Sequence, residues 1–228
     1  MRKTLLFCLI ALFAITFTGC LDDDGYSLGD FVVTTATIEV KNVSPYVIVT
    51  DGGDRLFPSA SAVPYFKVHD GQRVWIDYTI LGDAEESGDI KHYVKVNNLA
   101  VILTKGIFEL TPEKEDSIGN DPVRIKGYWF TGDYLTIRFT YGGGDGSIHY
   151  INLVQDINNP QTEEGMPILE FRHNRNNDRY NNEIWGTVSF NLSKIKVDGE
   201  NSVEFVLRAK TPEDGESFEK VLTFNYEE

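Results

Sequence analysis

The chain has 228 residues, with 21 Lys and Arg against 35 Asp and Glu, for a formal net charge of −14. So acidic a surface argues against a nucleic-acid partner and against docking on anionic lipid, both of which need clustered Lys and Arg. Two cysteines and about two hundred residues beyond the first segment mean that stability comes from one large or two small packed cores rather than from a disulfide framework.

The first segment sets the address. Arg2 and Lys3 form a cationic start, and Leu5 to Phe17 is an apolar run. That run suits a signal peptide and falls short of the ~20 residues a spanning helix needs. Phe17-Thr18-Gly19-Cys20 looks like the lipobox of bacterial lipoproteins, with Phe17 in place of the usual Leu or Val. The resemblance implies cleavage after residue 19, acylation of Cys20 and a membrane partner reached through that lipid anchor. Two or three acyl chains, at ~0.8 kcal/mol per buried methylene, suffice for stable anchoring. Asp22, Asp23 and Asp24 resemble a surface-export signal, so the expected location is the outer membrane, facing out of the cell. Losing Arg2 and Lys3 leaves 19 basic residues and a mature net charge of −16. Cys8 leaves with the signal and Cys20 carries lipid, which excludes a thiol nucleophile, a redox pair and a zinc–thiolate site in the mature chain.

Residues 20–35 read as a lipidated acidic tether. Period-two alternation then dominates, which predicts an all-β fold. Thr37 to Val49 is two short strands or one bent at Pro45, and Asp51-Gly52-Gly53-Asp54 is a turn. Val74, Ile76, Tyr78 and Ile80 alternate with Arg73, Trp75, Asp77 and Thr79 in a clear strand. His92 to Leu103 reads as two strands broken at Asn97-Asn98. About five strands in residues 36–110 is the right number for a small Greek-key barrel.

Residues 111–122 carry two prolines, a charge cluster and little apolar content, and read as a linker, with Thr111-Pro112-Glu113 able to start one helical turn. In residues 123–228 seven strands are expected: Val123–Phe130, Tyr134–Tyr141, Ser147–Gln155, Ile168–His173, Ile184–Leu192, Ser202–Lys210 and Phe218–Tyr226. Their spacing predicts an antiparallel β-sandwich. Gly142-Gly143-Gly144-Asp145-Gly146 reads as a hairpin connection, since it lacks the Lys and following helix of a phosphate loop.

Four stretches in order resemble one family. They are Cys20-Leu21-Asp22-Asp23-Asp24-Gly25-Tyr26-Ser27-Leu28-Gly29-Asp30, Glu115-Asp116-Ser117-Ile118-Gly119-Asn120-Asp121-Pro122, Gly132-Asp133-Tyr134-Leu135, and Leu169-Glu170-Phe171-Arg172-His173-Asn174. Together they resemble the NigD-like lipoproteins of Bacteroides and Prevotella, over nearly the whole chain. The resemblance implies an N-terminal OB-like five-stranded barrel followed by a C-terminal β-sandwich. It also implies a bacteriocin-immunity role for at least one member, and it supplies no catalytic residues.

No motif points to catalysis, a metal or a cofactor. His69, His92, His149 and His173 lie far apart in sequence, and each reads as structural. Candidate ligand contacts are Trp75, on the polar face of its strand, and Arg172, Asn174, Arg175 and Asn177, in or beside the amide-rich stretch from His173 to Glu183. Asn174, Asn176 and Asp178 alternate like part of a calcium loop that lacks its Gly and Glu. Asp116-Ser117-Ile118 resembles a short O-glycosylation sequon, making Ser117 a modification candidate. The expected function is a non-enzymatic envelope module that binds a protein, peptide or glycan. The alternatives are an immunity lipoprotein that intercepts a toxin and, behind both, an envelope carbohydrate hydrolase.

Overall fold

Val74, Ile76 and Tyr78 give one strand an apolar face, and burying that face against four other strands closes a barrel. The computed structural model describes residues 25–40, 46–85, 88–213 and 216–226. Cys20, Asp22, Asp23 and Asp24 lie outside the described residues. The barrel strands are β1 (Val32–Glu39), β2 (Val47–Thr50), β3 (Arg55–Ser61), β4 (Arg73–Asp83) and β5 (His92–Val101). They close in the order β1-β2-β3-β5-β4, with β4 returning to β1. Only the β3–β5 pair is parallel. Ala36, Ile38, Ile48, Leu56, Ile76 and Val94 fill the interior without exposure.

Five strands were expected in this half, but their membership differs. β3 carries Pro58 and small residues, and only its pairing with β5 makes it a strand, with a register shift between Pro58 and Ala60. Asn97-Asn98 does not break β5. Asn97 sits at a bulge and donates to Asp77 Oδ1 (3.0 Å) and Thr79 Oγ1 (3.1 Å), which uses the polar side chain where the ladder is interrupted.

The second half is one eight-stranded sheet folded into two leaves. Its strands are β6 (Leu103–Leu110), β7 (Val123–Thr131), β8 (Tyr134–Gly143), β9 (Tyr150–Asp156), β10 (Ile168–Asn174), β11 (Asn182–Asn191), β12 (Ser202–Lys210) and β13 (Ser217–Asn225). The order is β13-β12-β10-β9-β6-β11-β8-β7. β6 serves both leaves: Leu103–Gly106 pair with β11, and Ile107–Leu110 pair with β9. Between the leaves Phe171, Phe190, Phe205 and Phe224 are buried, with Phe139 and Phe171 ring centroids 4.9 Å apart and Phe130 stacked on Phe224 at 5.9 Å.

All seven expected strands form. The sandwich is mixed rather than purely antiparallel, because β6–β9, β6–β11 and β10–β12 run parallel. Alternation reports a buried face and is blind to strand direction. β6 belongs to the sandwich, so the first unit ends near Ile102 rather than residue 110. Residues 111–122 therefore lie within the second unit and do not separate the two. They fold as a 3₁₀ turn (Pro112–Lys114) and α1 (Glu115–Ile118), and Ile118 is buried with Leu110 and Val154. The glycine run after β8 is not a hairpin connection either. β8 pairs with β7 and β11, β9 with β6 and β10, so the run crosses between leaves.

A buried polar cluster joins the two units. Arg73 of β4, 1% exposed, forms an ion pair with Asp51 and donates from Nη1 to Thr37 Oγ1 (3.0 Å). Its Nη2 also donates across the interface to Thr136 Oγ1 of β8 (3.0 Å), and Trp129 Nε1 of β7 donates to Asp51 Oδ2 (2.6 Å). Burial alone would raise the Asp51 carboxyl, but Arg73, Thr35 and Trp129 hold it below its usual range. Among the described residues no helix is long and apolar enough to cross a membrane.

Candidate functional site

Two strand ends and two loops converge at one end of the sandwich. β9 and β10 pair antiparallel with His173 opposite Ile151, so His149, just before β9, and His173, near the end of β10, share one edge. His149 Nδ1 and His173 Nε2 are 2.8 Å apart, and His149 Nε2 is 3.2 Å from Asp178 Oδ2. His173 is 1% exposed and Asp178 2%. Tyr141 packs on both imidazoles, with ring centroids 4.8 and 5.0 Å away.

The glycine run makes this approach possible. A Cβ on Gly142 would stand 2.5 Å from Asn181 Oδ1, and one on Gly143 would stand 2.9 Å from His149 Cε1 and 3.1 Å from Asp178 Oδ2. With no side chains there, the Asp178 loop lies directly on β8. Asp178 Oδ2 then accepts from the backbone N–H of Gly144 (2.6 Å) and Asp145 (3.2 Å), while Oδ1 accepts from Tyr180 N–H (2.8 Å). Burial favours a neutral Asp178, but these donors and His149 outweigh it and hold the carboxyl far below its usual range. Asp178 is therefore an acceptor only.

That fact fixes one proton: His149 Nε2 must carry hydrogen to meet Asp178. The 2.8 Å contact between the two rings needs one N–H and one lone pair, and either ring can supply the hydrogen. Burial, and then the neighbouring His149, push the His173 pKa down to about 4, which keeps its ring neutral at pH 7. Nδ1 is buried and has no hydrogen-bond partner among the described residues. The Pro122 carbonyl acts the other way and favours a proton on the ring.

His173 lines a cleft of about 380 Å³, together with Asp121, Pro122, Tyr141, Arg175, Glu183 and others. Arg175 donates from Nη2 to the Tyr180 carbonyl (2.6 Å), and its backbone N–H donates to Asp121 Oδ2 (2.8 Å). Its Nε is buried and unpartnered. His173 and Arg175, two residues of the cleft wall, thus each hold a buried polar atom without a hydrogen-bond partner among the described residues.

Of the candidate contacts, only Arg175 lines this cleft. Trp75 is half-buried in the barrel wall, opposite Thr35 and Ala100. Arg172 is held by Glu170 (2.6 Å) and Glu115 (3.3 Å). Asn174 Nδ2 donates to the Ser117 carbonyl (2.9 Å). Asn176 and Asn177 have φ of 49° and 66°, so the amide-rich loop needs them as left-handed turn residues. Ser117 is exposed on α1 and donates to the Lys114 carbonyl (2.8 Å). Among the described residues no group of three or more His, Cys, Asp and Glu is arranged to hold a metal. The sequence reading took His149 and His173 as structural and missed their meeting with Asp178, because sequence distance hides a contact that the β9–β10 register creates.

The model of the NigD-like N-terminal OB domain matches residues 35–102, and that of the NigD-like C-terminal beta sandwich domain matches residues 106–226. No curated protein matches the chain. Among solved structures, a protein from Parabacteroides distasonis described as toxin-related is 32% identical, with a TM-score of 0.72 over 86% of this chain and 94% of its own. A NigD-like immunity protein from Bacteroides caccae is 17% identical, with a TM-score of 0.68 over 89% and 99%. A Bacteroides fragilis protein described as a lipoprotein is 9% identical, with a TM-score of 0.57 over 87% and 99%, and it shares the fold. With both halves matched in order, from residue 35 to residue 226, the chain belongs to the NigD-like family.

Proposed function

We propose that this chain is a lipid-anchored, non-enzymatic binding protein of the cell envelope, with its ligand site in the cleft at the end of the sandwich. One observation carries the reading: His173 Nδ1 and Arg175 Nε are both buried, both unpartnered and both in residues lining that cleft. An unmatched buried polar group costs roughly 1–3 kcal/mol, a cost that a bound ligand removes. A hydrolytic relay would need a nucleophile hydrogen-bonded to the distal ring nitrogen, and that nitrogen is bare. The acidic residues of the cleft are engaged, Asp121 by the Arg175 N–H and Glu183 by Lys126 (3.2 Å), which disfavours a glycosidase.

Anchoring rests on Arg2, Lys3, the apolar run and Cys20, and export on Asp22, Asp23 and Asp24. The protein should fractionate with the outer membrane, and Cys20→Ala should not. Protease treatment of intact cells should cut the wild type and spare the triple Asp→Ala variant. Protection of both from protease would place the protein on the periplasmic side.

A second reading is an immunity lipoprotein that intercepts a toxin. It is favoured by the names of the Bacteroides caccae and Parabacteroides distasonis structures and by a net charge of −14, or −16 once Arg2 and Lys3 are cleaved away, which suits a basic partner. Sensitive cells expressing the anchored chain should survive toxin secreted by related bacteria, and cells expressing Cys20→Ala should not. Equal killing of both would remove this reading.

A further inference from the structure

We infer that the N-terminal end of the barrel is a seat on the lipid bilayer, with Leu28 and Phe31 sunk among zwitterionic headgroups of the membrane that holds the anchor. The inference rests on the lipid anchor at Cys20 proposed above.

The segment before β1 is folded, and it turns apolar side chains outward. The Asp30 N–H donates to the Ser27 carbonyl (3.0 Å) and the Gly29 N–H to Ser27 Oγ (3.2 Å), which closes a turn with Leu28 at its tip. Turns favour Gly, Asn, Asp and Ser. Here Leu28 is 77% exposed and Phe31, just after the turn, is 66% exposed. Val32 and Val33, at the start of β1, are exposed as well. Two contacts fix where the segment lies. Tyr26 Oη donates to Asp83 Oδ1 (2.6 Å), and Val32 pairs with Tyr78 of β4. The segment therefore runs along the last residues of β4, beside Leu81, which is also exposed. Single exposed apolar side chains are ordinary, but a contiguous set on a folded surface marks an interaction site.

The chain itself identifies the occupant. Tyr26 follows Cys20 closely, so ~20 Å of fully extended chain is the most that separates it from the acyl chains. Leu28 and Phe31 are thus held next to the bilayer surface. An apolar face at such an interface sinks ~5–10 Å into the boundary between headgroups and acyl chains, within reach of that tether. Charge selects the lipid. Asp30 and Asp83 flank the apolar side chains, and the tether adds Asp22, Asp23 and Asp24. Lys91, paired with Asp54 (2.6 Å), and Lys95 are too few to reverse that sign. Such a surface suits zwitterionic headgroups and not anionic ones. β4 runs from Arg73, at the joint with the sandwich, to Asp83 beside Tyr26, a strand of 11 residues or roughly 35 Å. With its far end on the bilayer, the sandwich and its cleft stand clear of the lipid.

The test uses the lipidated mature chain in phosphatidylcholine vesicles. With Cys8 cleaved away and Cys20 acylated, Asp30→Cys supplies the sole free thiol and takes a fluorescent label. Glu204→Cys, on exposed β12, is the control. Nitroxide-bearing lipid should quench the label at position 30 about twofold and leave that at position 204 unchanged. Adding Leu28→Asp and Phe31→Asp should abolish the quenching while the chain still pellets with the vesicles through its lipid. Both side chains are exposed, so this variant should melt as the wild type does. Quenching that survives both substitutions overturns the seat and leaves tether length as its cause. Quenching that needs phosphatidylglycerol overturns the zwitterionic assignment. Emission that depends on protein concentration in detergent, with no quenching in vesicles, gives the patch to a second copy of the chain. A chain that pellets with Cys20 acylated but shows no quenching loses the seat alone. A chain that stays in the supernatant with Cys20 free of lipid by mass spectrometry loses the anchor, and the seat with it.

Discussion

His149 Nδ1 and His173 Nε2 share a hydrogen bond of 2.8 Å, though the residues are 24 positions apart. The contact continues to Asp178, 3.2 Å from His149 Nε2, so a residue of the cleft wall is tied to a carboxylate that does not line the cleft.

Acid should destabilise the fold through His173. Its pKa is about 4 in the folded chain, against an ordinary value of 6.5. Between those values the unfolded chain binds a proton that the native chain does not, so stability falls as pH falls through that window, by on the order of 3 kcal/mol. Asp178, with its carboxyl held low, adds a further loss at still lower pH. Urea melts at pH 4 to 7 should show this slope, and His173→Gln should flatten it. An unchanged slope in the variant would mean that another group controls the window.

Asp178→Asn should scramble the proton order without emptying the cleft. The amide offers a donor where the carboxylate could only accept, so His149 Nε2 need not carry hydrogen. Histidine ¹⁵N spectra should then show His149 Nε2 partly unprotonated at neutral pH. Retention of the wild-type tautomers would show that Asp178 does not set them.

Gly143→Ala should push His149 and Asp178 apart, since the new Cβ would sit 2.9 Å from the His149 ring. Overpacking of this kind costs ~1–3 kcal/mol, or a fall of several degrees in Tm for a chain this size. Gly127→Ala in β7 is the control. Nothing lies within 4 Å of its Cβ position, and the expected change is within about 0.5 kcal/mol. Equal effects at the two positions would refute the close-approach account.

Arg73→Met should loosen the joint between barrel and sandwich. It leaves Asp51 buried without its cation, and such a break costs ~3–5 kcal/mol. Calorimetry should resolve two transitions where the wild type shows one, and Arg73→Met with Asp51→Asn should recover part of the loss. A single unshifted transition would show that the apolar contacts alone hold the units together.

The sequence by itself determined the β character and the order of the two units, because alternation such as Leu135, Ile137, Phe139 against Thr136, Arg138, Thr140 depends only on which face is buried. The expected N-terminal address likewise rests on local composition, from Arg2 to Asp24. Only the tertiary structure decided strand direction, the membership of β3 and β6, and the cleft. β3 is poor in strand formers and exists through its partner β5. β6 changes leaves at Gly106-Ile107, a step that no local pattern marks. The amide-rich loop was legible as unusual, yet its asparagines serve the turn while Asp178 serves the histidines. His149, His173 and Asp178 meet through the β9–β10 register and a leaf crossing that needs glycine. Contacts between residues far apart in sequence are products of packing, and periodicity carries no information about them.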